Sequence, residues 1–104
     1  MAKFLFAYHR GKQPESEAEG AKVMAAWGAW FESLGADLVD AGAPVGQSHT
    51  VSASGSTDNG GANPVSGYTL VNAASYDTAI KIAKGCPMVA DGSGSVEVAE
   101  CVEM

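Results

Sequence analysis

The sequence predicts an α+β domain, an antiparallel sheet with two helices on one face. Three observations carry this. Apolar spacing alternates between a period of two and a period near 3.6, twice along the chain. Each helical stretch opens on a serine with acids behind it and closes on a glycine. The 104 residues make one domain, 1–104, with one core. A chain of that size buries roughly 65% of the surface its unfolded form exposes.

The first strand holds Phe4, Phe6 and Tyr8 on one face and Leu5, Ala7 and His9 on the other. Both faces are largely apolar, which places it centrally in the sheet. Arg10-Gly11-Lys12-Gln13-Pro14 ends it. Ser16 and Glu19 then form a capping-box pattern, with Glu15 and Glu17 at the positive end of the helix dipole. Met24, Trp27, Gly28, Phe31 and Leu34 make an amphipathic stripe, widened by Val23 and Trp30. Gly35 is placed for a left-handed cap. Residues 37–43 read as a short strand broken at Gly42 and Pro44, and residues 48–53 as another. Ser54 to Pro64 reads as a turn or flexible hairpin tip. A strand over Gly67–Asn72 follows.

The second helix begins at Ser75 and buries Ala79, Ile80, Ile82 and Ala83. Gly85 caps it and Pro87 stops it. The last strand, Ser95–Met104, sets Val96, Val98, Glu100 and Val102 on one face and Glu97 on the other. Two strand-helix-strand units with a hairpin-like insertion make a split βαβ, ferredoxin-like sandwich. Two helices cover one sheet face only. The other face would expose an apolar patch, and dimerisation through it is the expected remedy.

Composition narrows the function classes. Twelve acids against six bases give a net charge of −6. The bases Lys3, Arg10, Lys12, Lys22, Lys81 and Lys84 are scattered. They form no basic stripe for phosphates or anionic lipid, so nucleic-acid and membrane partners are not expected. No apolar run approaches the ~20 residues of a spanning helix, and the N-terminal patch is too short for a secretory signal. The reading is cytoplasmic, with Cys86 and Cys101 reduced. Neither the cysteines nor the histidines have zinc-ligand spacing, and no cofactor is called for.

Several segments together resemble the YCII-related (DGPF-type) domain family. They are Met24-Ala25-Ala26-Trp27-Gly28-Ala29-Trp30-Phe31, Ala41-Gly42-Ala43-Pro44, Gly67-Tyr68, Lys84-Gly85-Cys86-Pro87 and Ser95-Val96-Glu97-Val98. The resemblance runs from about Lys3 to Met104. It implies a dimeric α+β barrel of ferredoxin-like halves, and a histidine with a carboxylate as acid/base pair in the cavity. This chain departs from that pattern. Its first helix carries Trp27 and Trp30 where relatives place a histidine, and Asp40 precedes Ala-Gly-Ala-Pro instead of an Asp-Gly-Pro-Phe motif.

The candidate site residues follow from side-chain chemistry. His9, with Asp40 as its orienting carboxylate, suits a general acid or base, against a surface histidine beside Arg10. Glu100 is the alternative acid, since a carboxylate among valines needs a partner or a wet cavity; fraying of the C-terminal strand or a salt bridge at the dimer seam is the simpler account. Trp27 and Trp30 would line a ligand pocket, or simply the core. Tyr8 and Tyr68 would place hydroxyls in the same cavity, or tether them in packing. His49 would close the rim, or sit exposed in a turn. Cys86, past a helix C-terminus, has a poor setting for a nucleophile. Two functional readings result. One is a homodimer with a small-molecule cavity and isomerase- or lyase-like acid/base chemistry. The other is a non-catalytic binding or interaction module.

Overall fold

The structure, a computed structural model, describes residues 2–11 and 14–103. In chain order the elements are β1 (Ala2–Arg10), α1 (Glu17–Leu34), β2 (Leu38–Pro44), β3 (Thr50–Ser52), β4 (Gly55–Thr57), β5 (Val65–Ala73), α2 (Tyr76–Lys84), α3 (Pro87–Ala90) and β6 (Gly94–Glu100). Four strands form an antiparallel sheet in the order β2-β5-β1-β6, and β3 pairs with β4 in a separate hairpin. This is the split βαβ, ferredoxin-like arrangement, with the hairpin as an insertion between β2 and β5. Lys12, Gln13 and Met104 lie outside the described residues, and the expected last strand stops at Glu100, leaving Val102 83% exposed beyond it.

Strand β1 is central, and its alternation builds the two layers. Phe4, Phe6 and Tyr8 are buried on the helix side with Trp30, Val71, Ala79, Ala83 and Met88. Full burial of each Phe contributes about 1.5–3 kcal/mol. Small residues at Ala79 and Ala83 let α2 lie close to the sheet. The Tyr8 hydroxyl donates to Thr69 Oγ1 at 2.6 Å, and Thr69 Oγ1 donates to the Ala41 carbonyl at 2.9 Å. That relay ties β1, β5 and β2 together on the core side.

The helix caps follow the sequence reading in part. Ser16 Oγ accepts from Glu19 N–H at 3.1 Å, and Ser75 Oγ accepts from Thr78 N–H at 3.3 Å. The Glu19 carboxylate reaches Glu15 N–H, at 3.2 Å, rather than the cap residue. Gly35 has φ +55 at the end of α1, a conformation that favours glycine.

Four expectations are corrected. Met24, 74% exposed, and Gly28, also exposed, leave the expected stripe, because α1 seats Trp27, Trp30, Phe31 and Leu34 on the core and turns both outward. Ile80 is exposed, since the two alanines form the contact of α2. The stretch taken as a flexible tip contains β4, paired with β3 through Thr50–Thr57, Val51–Ser56 and Ser52–Gly55. Finally, Pro87 starts a helix as well as ending one. Its fixed φ suits the first position of α3, which the periodicity did not reveal.

Candidate active site

The open sheet face gathers the chemistry around the end of β1. Ala7 pairs with Tyr68 on one side and Glu97 on the other, so these three form a row on the face that the helices leave uncovered. His9 lies one step along the same face. Its Nε2 is 3.0 Å from Glu97 Oε1, while its Nδ1 is 3.0 Å from the Asn63 carbonyl and 3.2 Å from the Pro64 carbonyl. The imidazole is 12% exposed and the Glu97 side chain 71%. Carbonyl oxygens only accept, so these two contacts are hydrogen bonds in the ring forms that carry a proton on Nδ1. Nε2 faces Glu97, whose carboxylate also only accepts, so the contacts on both sides are made together only by the doubly protonated ring. That carboxylate is free to rotate into solvent.

A break in register helps aim the ring. Tyr8 pairs with Gly67 but His9 pairs with Val65, so Ser66 is an extra residue of β5 opposite this step. Bulges bend a strand and redirect its side chains. The Ser66 hydroxyl is buried here and has no partner among the described residues.

The other candidates separate. Asp40 pairs with Leu70 of β5, five residues from the Val65 that faces His9, a distance of about 16 Å along the strand. Its carboxylate instead accepts from Gly42 N–H at 2.8 Å, the local turn bond of an aspartate before a bend. Asp40 is therefore not the partner of His9 within one chain; Glu97 is. Glu100 lies across from Phe4, on the opposite face from His9, and is exposed. Its N–H donates to the Tyr76 hydroxyl at 2.9 Å. Tyr8 does not share a cavity with Tyr68, because it is the core tyrosine of the relay. Burial pushes its hydroxyl pKa well above 10.0, against the lowering effect of the Thr69 bond. Tyr68 is the open-face tyrosine, 37% exposed.

Trp27 and Trp30 lie on the helix side. Trp27 stacks edge-on against Tyr8 at 5.1 Å, and Trp30 Nε1 donates to the Ile82 carbonyl at 3.2 Å. Both line an open groove of about 720 Å³ between α1 and α3, with Lys22, Gly85, Pro87 and Met88. His49 is far out on the hairpin insertion, with Nδ1 3.4 Å from Asp58 Oδ1 and both side chains exposed. Cys86 and Cys101 are free. Burial raises the Cys86 pKa, although backbone N–H groups of Met88 and Val89 oppose it. A raised pKa keeps the thiol protonated and makes it a poor nucleophile. No cluster of three or more His, Cys, Asp or Glu side chains suits a metal among the described residues. No helix there is long and apolar enough to cross a membrane.

Glu97 is the residue that sequence reasoning passed over. The period of two along the last strand puts it on the face opposite Glu100. What was missing was the pairing of β6 with β1, which alone sets Glu97 beside Ala7 and diagonal to His9.

The ferredoxin-like sandwich agrees with the comparisons. A model of the YCII-related domain matches residues 4–104, and the chain belongs to that family. No curated protein matches it. Among solved structures it is similar to 5-chloro-2-hydroxyhydroquinone dehydrochlorinase (TftG) from Burkholderia phenoliruptrix AC1100, in complex with 2,5-dihydroxybenzoquinone. The TM-score is 0.57 at 22% identity, over 98% of this chain and 95% of that one. At that identity the likeness speaks for the shared fold.

Proposed function

We propose that this protein is a cytoplasmic homodimer that binds a small molecule between its open sheet faces and performs isomerase- or lyase-like acid/base chemistry at His9. The observation that carries the reading is the ring geometry: Nδ1 held by two carbonyls and Nε2 3.0 Å from Glu97. Nε2 takes a proton from a substrate carbon or hydroxyl. Glu97 swings aside to admit the substrate and stabilises the resulting imidazolium. In an isomerisation His9 returns the proton to another atom. In an elimination the adjacent leaving group departs with its bonding electrons, and the proton is lost to solvent. Tyr68 borders the substrate. Asp40 and Glu100 are remote from His9 in their own chain; they enter this site from a second chain or not at all. His49 would reach the rim by the same route.

The quinone bound to the structural neighbour makes hydroxylated phenols and quinones the first compounds to test. A ligand at a hundred times its Kd stabilises the folded state by about 2.7 kcal/mol. The expected result is a compound that raises the melting temperature of a dimer and is turned over. His9→Asn should keep binding but slow turnover by about 10²–10⁴-fold. Wild-type turnover in that variant would remove His9 from the chemistry. A monomer in sedimentation that binds nothing in the panel would end the reading as a whole.

The groove beside Trp27 and Trp30 favours the second reading, a non-catalytic binding module using the helix side. Quenching of tryptophan emission by a ligand, unchanged in His9→Asn, would select it.

A further inference from the structure

We propose that the hairpin arm carrying β3 and β4 is a positioning device for His9, fastened at Gly60, which selects the ring tautomer with its proton on Nδ1. The catalytic meaning of this rests on the proton-transfer reading above.

The arm leaves the sheet after β2 and returns at β5. Its return leg ends in Asn63 and Pro64, whose carbonyls hold His9 Nδ1. The two legs are tied across their base. Gln47 Nε2 donates to the Asp58 carbonyl and Thr50 Oγ1 to the Asn59 carbonyl, each at 2.6 Å. Val45 N–H donates to the Ser66 carbonyl at 3.0 Å. Asn59 Oδ1 accepts from Gly61 N–H at 3.0 Å, which fixes the turn into the return leg.

Gly60 sits inside this clasp. A Cβ there would lie 2.6 Å from Ser48 Cβ on the outgoing leg and 2.7 Å from Pro64 Cβ on the return leg. Real carbon atoms do not approach so closely. Glycine is needed here for space, and a side chain must push Pro64 away from Ser48. Pro64 carries one of the carbonyls on His9, and Asn63 the other. The position of Gly60 is thus transmitted to the ring through one residue pair.

The outcome is chemically specific. Free neutral histidine in water favours the proton on Nε2. Two acceptors at Nδ1 reverse that preference and leave the Nε2 lone pair on the open face, where a base must present it. Glu97 on the Nε2 side opposes this choice, because a carboxylate also accepts, so the two carbonyls and the exposure of the Glu97 side chain decide it.

The test is long-range ¹H–¹⁵N correlation of the histidine rings in ¹⁵N-labelled full-length protein, at a pH where the rings are neutral. His49, the other histidine in the sequence, is the internal comparison. Wild-type His9 should show a protonated Nδ1 and an unprotonated Nε2. Gly60→Ala should turn the Nδ1–H form from the dominant one into the minority, with the amide pattern of β1, β5 and β6 retained. Pro64→Gly, which loosens the return leg without adding volume, should do the same. Glu97→Gln should keep the Nδ1–H form, since the carbonyls are untouched and the new amide can donate to Nε2. The proposal is overturned if wild-type His9 carries its proton on Nε2, if Gly60→Ala folds and keeps the wild-type tautomer, or if Glu97→Gln loses it. Should Gly60→Ala not fold, the other two variants decide. The tautomer is read without substrate, so absence of turnover in a wild type with Nδ1–H would count against the proposed reaction alone.

Discussion

Tyr8 shows what one buried hydroxyl does to the pH dependence of the whole chain. Burial raises its pKa above the 10.0 of an exposed phenol, and Cys86 is raised above 9.0 for the same cause. The native state therefore keeps both protons to a higher pH than the unfolded chain does. Their stabilising effect is complete below the unfolded values and is lost as pH rises through the folded ones. Urea midpoints measured between pH 7 and 11 should fall from about pH 9 upward. Tyr8→Phe should flatten the part of the fall above pH 10; an unchanged slope in that variant would remove Tyr8 from the account. Which face Tyr8 takes is legible in the sequence, because a period of two is a local property. What its hydroxyl meets is not, because Thr69 lies 61 residues further on. Glu97 escaped for the same reason, 88 residues from His9. Asp40 is the expected partner because the strand after the first helix often lies close to the first, but β5 stands between β2 and β1 and the register of β2 on β5 sets Asp40 far from His9.

Helix α1 carries a glycine with nothing to do in the packing. A Cβ at Gly28 would meet no atom within 4 Å, and its φ is not left-handed. Gly28→Ala should stabilise the protein by about 0.5–1 kcal/mol, through helix propensity and a less flexible unfolded chain. In thermal unfolding that is a rise of roughly 2–8 °C for a domain of this size. Gly42→Ala in β2 should go the other way: φ is +71, and the added carbon would overlap the Tyr68 carbonyl oxygen. A gain in melting temperature for both, or a loss for both, would contradict this account. The same helix shows where amphipathic reading loses its grip. Ser16 marks the start of α1, because capping chemistry is local. The buried face departs from the stripe at Met24 and Gly28 because Ala25, Ala26 and Ala29 offer no polar contrast to mark the outside. At α3 the ambiguity is chemical. Proline ends one helix and begins another equally well, and four residues are too few to show a period.

At the scale of the molecule, the shape is set by the arm. The body and arm span 43 × 43 × 20 Å with a radius of gyration of 14.8 Å. A compact chain of this length would have about 13 Å. Strands β3 and β4 pack chiefly on each other, and Val51 is 79% exposed. The two-layer architecture was readable from the supply of helices and strands, and the uncovered face from their number. The outward reach of the insertion was not, because exposed polar strands and loops look alike in composition. The strand order β2-β5-β1-β6 has a consequence at the arm's tip. A cut between Ser54 and Gly55 divides the chain into one piece with β1, α1 and β2 and another with β5, both short helices and β6. In the sheet the strands then alternate in origin, and every seam joins one piece to the other. Neither piece can assemble a sheet by itself, so each expressed alone should give a disordered circular-dichroism spectrum. Mixed in equal amounts, they should recover the native spectrum and co-elute at the size of the uncut protein. The fold is a zipper whose two tapes happen to be joined at one loop.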